Sequence, residues 1–264
     1  MPADVWSPVP WCRALAAHHR RAFDEARALA IVPPRHSLYT EACLAALPSQ
    51  GDRLLQDLRD ALHHFDNMGY TRSTHQREFH ASMMAACARH IFKDEFTDNF
   101  VRILQENGWD EARQEVMICC PRRFGKTFAV GMYVAAYLYT QPDTEICIFS
   151  PSRRQSEKML ELVKTFLHKL PGASDRIIKA NRERLWLRGD VHRADDIRKC
   201  SSYPSKVSTL KGVGGDLIIC EEAAAMDTAV FYEVRAFFGP FRYARTHACH
   251  AASSNSSSDT ALAM

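Results

Sequence analysis

Three consecutive residues, Gly125, Lys126 and Thr127, have the side chains expected of a loop that binds nucleotide phosphates. They follow a short run of strand-forming residues at 116–120 and precede a long apolar stretch typical of a buried helix. Such a loop directs backbone N–H groups at phosphate oxygens, at the positive end of a helix. Lys126 would reach the β and γ phosphates, and the Thr127 hydroxyl would ligate Mg²⁺. A chance Gly-Lys-Thr after a strand would look the same, so a second motif must decide.

The loop departs from the usual GxxxxGK[ST] pattern at its first glycine, which is replaced by Cys120. The predicted nucleotide-binding residues are Cys120, Pro121, Arg122, Arg123, Phe124, Gly125, Lys126 and Thr127. The two arginines would lie close to the γ-phosphate, where either could supply the charge of an arginine finger. The sequence does not choose between them.

The second motif is a pair of acidic residues, Glu221 and Glu222, that directly follows four apolar residues at 217–220. At the end of a buried strand, Glu221 would hold Mg²⁺ and Glu222 would be the catalytic carboxylate that polarises the attacking water. An exposed acidic helix start would also place glutamates here, since negative charge is favourable in a first turn. The four consecutive apolar residues argue against that alternative.

Strand and helix patterns alternate around these motifs. A strand is predicted at 144–150, followed by an amphipathic helix whose start, with Ser152 and Gln155, fits a capping box. Residues 176–188 predict a hairpin that turns at 181–183. This order indicates an α/β fold with a mainly parallel sheet flanked by helices. Cys120 and Glu221 would both lie at the carboxyl ends of their strands, where such sheets bind nucleotides.

The patterns divide the chain into three parts: a helical N-terminal extension at 1–69, a P-loop domain at 70–234 and an irregular, Ser-rich tail at 235–264. In the extension, the clearest helix carries an apolar stripe from Leu54 to Phe65. In the tail, His247, Cys249 and His250 are too few and too close together to indicate a zinc site.

Composition excludes several classes of protein. With 34 Lys and Arg against 31 Asp and Glu, the net charge of +3 is too small to indicate nucleic-acid binding by itself. The nine cysteines form no CxxC pair, which predicts reduced core residues in an intracellular protein. No signal peptide is expected. The longest nearly apolar segment, at 128–138, is too short to cross a bilayer, so no membrane partner is expected.

The loop PRRFGKT and the later segment LKGVGGDLIICEEAA together resemble the ATPase of the terminase large subunit, the DNA-packaging motor of tailed bacteriophages and herpesviruses. In that family the loop often lacks its first glycine and carries arginine. The second motif there usually follows a basic-Gly pair and reads as four apolar residues and Asp-Glu-Ala; this chain has Lys211-Gly212 and Glu221-Glu222-Ala223. The extra methylene of Glu221 alters the expected Mg²⁺ geometry. The resemblance covers residues 70–234.

The resemblance implies a P-loop NTPase fold that uses ATP and Mg²⁺ and couples ATP hydrolysis to DNA translocation. It implies double-stranded DNA, a portal protein and a small terminase subunit as partners, a ring-forming homo-oligomer, and a location in the host nucleus or viral assembly site. It also implies an adenine-reading role for Gln76, whose amide offers both a donor and an acceptor. The same sequence is equally compatible with an exposed glutamine at a helix start that has no role in binding adenine.

The coupling strand and nuclease domain that this family carries after the acidic pair are not evident here. We therefore expect a truncated or partial motor that binds nucleotide, hydrolyses it slowly alone and cuts no DNA. Two alternatives share the same motifs: a helicase-like ATPase dependent on nucleic acid, and a non-catalytic remnant that only binds nucleotide.

Overall fold

The computed structural model of the chain describes residues 48–112, 114–121, 124–189, 195–205, 214–230, 232 and 245–250, the last six by their backbone only. The first predicted helices of the extension, the loop arginines Arg122 and Arg123 and the Ser-rich end of the tail lie outside these residues.

A seven-stranded sheet forms the centre of the fold, in the order β1-β7-β6-β2-β5-β4-β3. Its strands are β1 (Glu115–Cys120), β2 (Glu145–Ser150), β3 (Ile177–Ala180), β4 (Arg184–Arg188), β5 (Ile197–Pro204), β6 (Leu217–Glu221) and β7 (Arg245–His250). The first five strands of that order pair in parallel, and β4 and β3 add an antiparallel hairpin at one edge. The predicted α/β class with a mainly parallel sheet is confirmed.

The hairpin lies where its alternating pattern predicts it. Ile177 pairs with Leu187, and Lys179 pairs with Trp186. At the turn, the Asn181 side-chain oxygen accepts hydrogen bonds from the backbone N–H groups of Glu183 and Arg184, at 3.0 and 2.8 Å. An asparagine that satisfies the backbone donors of a turn in this way is a strong local signal for chain reversal.

Strand β7 is a correction to the expected irregular tail. Residues 245–250 pair in parallel with β1 on one side and β6 on the other, so that Cys120 lies opposite His250 and Glu221 opposite Ala248. The sequence RTHACH has no apolar run, which is why its pattern did not indicate a strand. The position between two parallel neighbours supplies partners for backbone groups on both edges of this strand, and these override its weak local signal.

Within residues 48–112, four helices precede the first strand: α1 (Gln50–Asn67), α2 (Thr74–Phe92), α3 (Asp94–Asp98) and α4 (Phe100–Asn107). Helix α1 begins at a capping box between Ser49 and Asp52, and its predicted stripe is buried at Leu55, Leu58, Leu62 and Phe65. This helix packs on the helix that follows the phosphate-binding loop and belongs to the same compact unit as the sheet. The predicted domain boundary at residue 69 stays a prediction.

Two further helices of 15 residues each flank the sheet in the described part of the chain: α5 (Lys126–Thr140), directly after the phosphate-binding loop, and α6 (Arg153–Leu167), directly after β2. Most of α5 is buried, because α1, α2 and α6 all pack against it. This environment explains why its sequence is apolar all round rather than on one face. Helix α6 buries only one stripe, at Met159, Leu160, Val163, Phe166 and Leu167.

A polar network ties α1 to the two helices around the loop. The Arg72 guanidinium donates to both Asp66 carboxylate oxygens, at 2.8–3.2 Å, and to His80 Nδ1 at 3.1 Å. Burial lowers the pKa of His80 to about 3, so the ring is neutral and its Nε2–H donates to the Ala129 carbonyl at 2.9 Å. Burial alone would raise the pKa of Asp66, but the hydrogen bonds from Arg72 lower it to about 2.

The six cysteines with described side chains are free thiols, and five of them are buried. Burial raises the pKa of Cys87 and of Cys147 to about 12, so both thiols are uncharged. In the described part of the chain, none of the helices has both the length and the apolar composition that a membrane crossing requires.

Candidate nucleotide-binding site

The phosphate-binding loop turns at Gly125, the residue that caps α5. Its φ of +84° lies in the left-handed region, where a side chain is unfavourable. A Cβ at this position would also come within 3.0 Å of the Gln76 amide nitrogen. Its carbonyl accepts the Ala129 N–H at 2.9 Å, which starts the helix. Glycine is therefore required at position 125 for two reasons: the left-handed backbone conformation and the lack of space for a Cβ.

Lys126, the first residue of α5, is only 8% exposed. Its Nζ is buried and forms no hydrogen bond with any described part of the chain. Burying an ammonium group in this position costs free energy unless an anion pairs with it. The adjacent helix N-terminus also favours negative charge, so a phosphate fits both requirements.

Thr127 and Glu221 connect the two predicted motifs directly. The Thr127 hydroxyl donates to the Glu221 carboxylate at 2.6 Å. Glu221 ends β6 and is 7% exposed, and β7 lies between its strand and the strand that leads into the loop. A hydroxyl and a carboxylate in contact are two oxygen ligands of the kind Mg²⁺ prefers beside nucleotide phosphates. Among the described side chains, no cluster of three His, Cys, Asp or Glu could hold a metal.

Glu222, the next residue, has a strained backbone. Its φ of 54° and ψ of 42° are left-handed, a conformation that costs a non-glycine residue about 1–2 kcal/mol. Its carboxylate accepts a hydrogen bond from the Gln155 amide at 2.6 Å, in the first turn of α6. The two glutamates therefore contact different elements: Glu221 contacts the helix after the loop, and Glu222 contacts the helix after β2.

Gln155 is the residue of the site that sequence reasoning missed. The capping box at Ser152 was predicted, and the Ser152 hydroxyl does accept the Gln155 N–H at 3.3 Å. The contact with Glu222 depends on β2 and β6 being neighbours in the sheet, because their carboxyl ends then lie side by side. Strand order is not readable from a single sequence, so no local signal could have shown it.

Gln76 lies beside the loop, as the prediction requires, but its amide already has partners. Its Oε1 accepts the Ser73 N–H at 2.9 Å, and its Nε2 donates to the Gly125 carbonyl at 3.5 Å. The cap of this helix is Ser73. The adenine-reading role stays a prediction.

A cavity of about 30 Å³ lies beneath this contact. Its lining includes Gln76, Phe124 and Lys126. That volume suits about one water molecule. A purine is much larger than this cavity, so it could enter only after a lining side chain moved.

Two further loop residues, Pro121 and Phe124, contact each other. The Phe124 N–H donates to the Pro121 carbonyl at 3.4 Å. Arg122 and Arg123 themselves lie outside the described residues, so their catalytic role stays a prediction. Burial raises the pKa of Cys120, although the charge of Lys126 opposes this, so the thiol is neutral.

Comparison with protein families gives a match to a family model. Residues 117–251, more than half of the chain, match the family model for RNA cytidine acetyltransferase NAT10/TcmA, helicase domain. No curated protein sequence matches the chain.

The chain is also similar to solved structures of phage large terminases. A point mutant of the large terminase ATPase domain of a Thermus phage is 17% identical, with a TM-score of 0.45, over 53% of this chain and 61% of that one. Another structure of that domain is 17% identical over 56% and 68%, with a TM-score of 0.42. The large terminase of a thermophilic bacteriophage in complex with ADP is 15% identical over 50% and 33%, with a TM-score of 0.41. The chain thus spans about three fifths of the first structure, and likeness at this level carries no functional statement.

Proposed function

The chain belongs to the NAT10/TcmA helicase-domain family, and on that premise we propose that it is a P-loop ATPase. Its hydrolysis of ATP is stimulated by nucleic acid. The contact between Thr127 and Glu221 supports this proposal most strongly, because it joins the phosphate-binding loop to the acidic pair at the distance of a strong hydrogen bond, 2.6 Å. Two motifs 94 residues apart would not meet in this way if either were a chance match.

Each described residue then has a defined task. Lys126 neutralises phosphate charge with a buried ammonium group. Thr127 and Glu221 would hold Mg²⁺, which, when bound, neutralises charge on the phosphate oxygens. Glu222 orients the attacking water and accepts its proton. One of Arg122 and Arg123 would stabilise charge on the γ-phosphate.

Two kinds of nucleic-acid substrate are candidates. The match to a helicase domain favours a helicase-like ATPase, the second of the functions inferred from the sequence. The motifs PRRFGKT and LKGVGGDLIICEEAA favour the first, a packaging motor that translocates double-stranded DNA. A portal protein, a small terminase subunit, a homo-oligomeric ring and a location at the viral assembly site belong to the packaging motor only.

The test is the rate of phosphate release from ATP with single-stranded RNA, with double-stranded DNA and with neither. A helicase-like enzyme is expected to respond to the RNA, and a packaging motor to the duplex. Equal rates in all three conditions would contradict the proposal. Nucleotide binding without any hydrolysis would instead support the non-catalytic remnant.

A further inference from the structure

The sheet edge formed by β3, β4 and β5 has one covered face and one open face. Leu185, Leu187 and Cys200 are fully buried on the covered face, where α6 packs. Because neighbouring residues of a strand point to opposite faces, the residues between them point away from α6.

The open face carries four cations around one aromatic ring. Lys179, Trp186 and Lys199 lie opposite one another in register across the three strands. The Lys179 and Lys199 ammonium groups lie 4.5 and 5.8 Å from the Trp186 ring centroid. Arg184 and Arg188, two residues to either side on β4, are exposed.

None of these four cations forms a salt bridge with a described residue, although Glu145 of β2 lies opposite Lys199 in register. All four lie on three short neighbouring strands. Such local concentration of positive charge is the electrostatic footprint of phosphate-backbone binding.

We propose that this face binds the phosphate backbone of a nucleic acid. Arg188 lies four residues after Arg184 on β4, so their stems are about 13 Å apart and span several phosphates. Trp186 restrains both lysine side chains by cation–π attraction, which limits the side-chain entropy lost on binding. This inference rests on the proposed function and names the surface through which nucleic acid would reach the ATPase.

The test compares binding of a labelled 30-nucleotide single strand and a 30-base-pair duplex, without ATP, at several salt concentrations. The slope of log K, the association constant, against log salt is negative. The double variant Arg184→Gln/Arg188→Gln is expected to make this slope less steep by about 2, or about 1 for each phosphate that the protein no longer neutralises. The control Arg53→Gln/Lys158→Gln removes the same charge from exposed positions elsewhere and should leave the slope unchanged.

Equal slopes in wild type and the sheet variant would overturn the proposal, as would binding to anionic lipid vesicles but to neither oligonucleotide. Because nucleic-acid binding is measured without ATP, its result does not depend on whether the protein hydrolyses ATP. An inactive protein that binds nucleic acid through this face would refute the proposed enzyme and leave the surface intact.

A second, independent observation concerns Gln155. Its side chain is held at both ends, since its oxygen accepts the Ser152 hydroxyl at 2.8 Å and its nitrogen donates to Glu222 at 2.6 Å. Glu222 has a strained backbone, so its carboxylate position depends on such outside support. We infer that Gln155 is a positioning residue, which fixes the Glu222 carboxylate for its role toward the attacking water.

Steady-state ATP hydrolysis tests this role. Gln155→Ala is expected to lower kcat at least about tenfold with an unchanged KM for ATP, because misplacing a base affects chemistry and not binding. Gln155→Glu should be worse, since two carboxylates would then meet. The control Lys158→Ala, exposed one turn further along α6, should match wild type.

An unchanged or higher kcat in Gln155→Ala would overturn the inference, as would a change in KM alone. The contact can also be tested without turnover, by a thermal-unfolding cycle. Gln155→Ala and Glu222→Ala together should lower the Tm by less than the sum of the single changes. Additive effects would overturn the inference even if the protein proved to be no ATPase.

Discussion

Replacing Lys126 with methionine removes a buried charge that the ligand-free protein does not pair, so the variant should be more stable than wild type. The residue is 8% exposed, and its Nζ has no hydrogen-bond partner among the described residues. Leaving such a group unsatisfied costs at least about 1 kcal/mol. Methionine has a similar length and no charge, so the folded state should gain about that amount. For a folded unit of this size, that raises the Tm by about 2–4 °C.

ATP should reverse the order of the two proteins. At a nucleotide concentration one hundred times its Kd, wild type gains about 2.7 kcal/mol, whereas a variant that cannot bind gains nothing. Wild type should then melt several degrees above Lys126→Met, although it melts below it without ATP. Thermal unfolding followed by circular dichroism, with and without ATP and Mg²⁺, measures both differences.

The matched control is Lys158→Met, which makes the same change at an exposed position of α6. It should alter neither the ligand-free Tm nor the shift with ATP. A ligand-free Lys126→Met that melts below wild type would refute the electrostatic argument. A variant that keeps the full shift with ATP would refute the assignment of the loop.

The other predictions concern the acids and the arginines. Glu222→Gln should keep ATP bound but stop its hydrolysis in a single-turnover assay. Glu221→Gln should lose activity, and a high Mg²⁺ concentration should partly restore it. If Glu221→Gln, and not Glu222→Gln, trapped intact ATP, the assigned roles of the two glutamates would be exchanged. One of Arg122→Ala and Arg123→Ala should lose hydrolysis far more than ATP binding, and near-normal turnover in both would reject an arginine role. The pKa of Asp66 is lowered to about 2, so this group contributes on the order of 2 kcal/mol above pH 4 that is lost as the pH falls towards 2. Asp66→Asn should therefore flatten the pH dependence of the Tm in that range, and an unchanged profile would count against the ion pair.

The elements that carry the site were predictable because their local and global signals agree. The strand before the loop, the apolar helix after it and the four apolar residues before Glu221 all occur as their patterns indicate. The hairpin at 177–188 was equally readable, since alternation and a turn asparagine coincide there.

The features that the sequence did not predict are those that depend on the order of the strands in the sheet. Strand β7 has a polar, locally weak sequence and is defined by its two neighbours. The contact between Gln155 and Glu222 likewise exists only because β2 and β6 are adjacent. Pairing between distant segments leaves no periodic trace in one sequence, so both features required the folded structure.

The central claim is that the loop and the acidic pair form one site that hydrolyses ATP. Phosphate release from ATP, measured with Mg²⁺ and nucleic acid for wild type and for Glu222→Gln prepared in parallel, tests it most directly. We expect nucleic acid to accelerate phosphate release by wild type, and we expect Glu222→Gln to release phosphate at least about a hundredfold more slowly at equal ATP occupancy. Equal rates in the two proteins would contradict it, because the activity would then not come from this site.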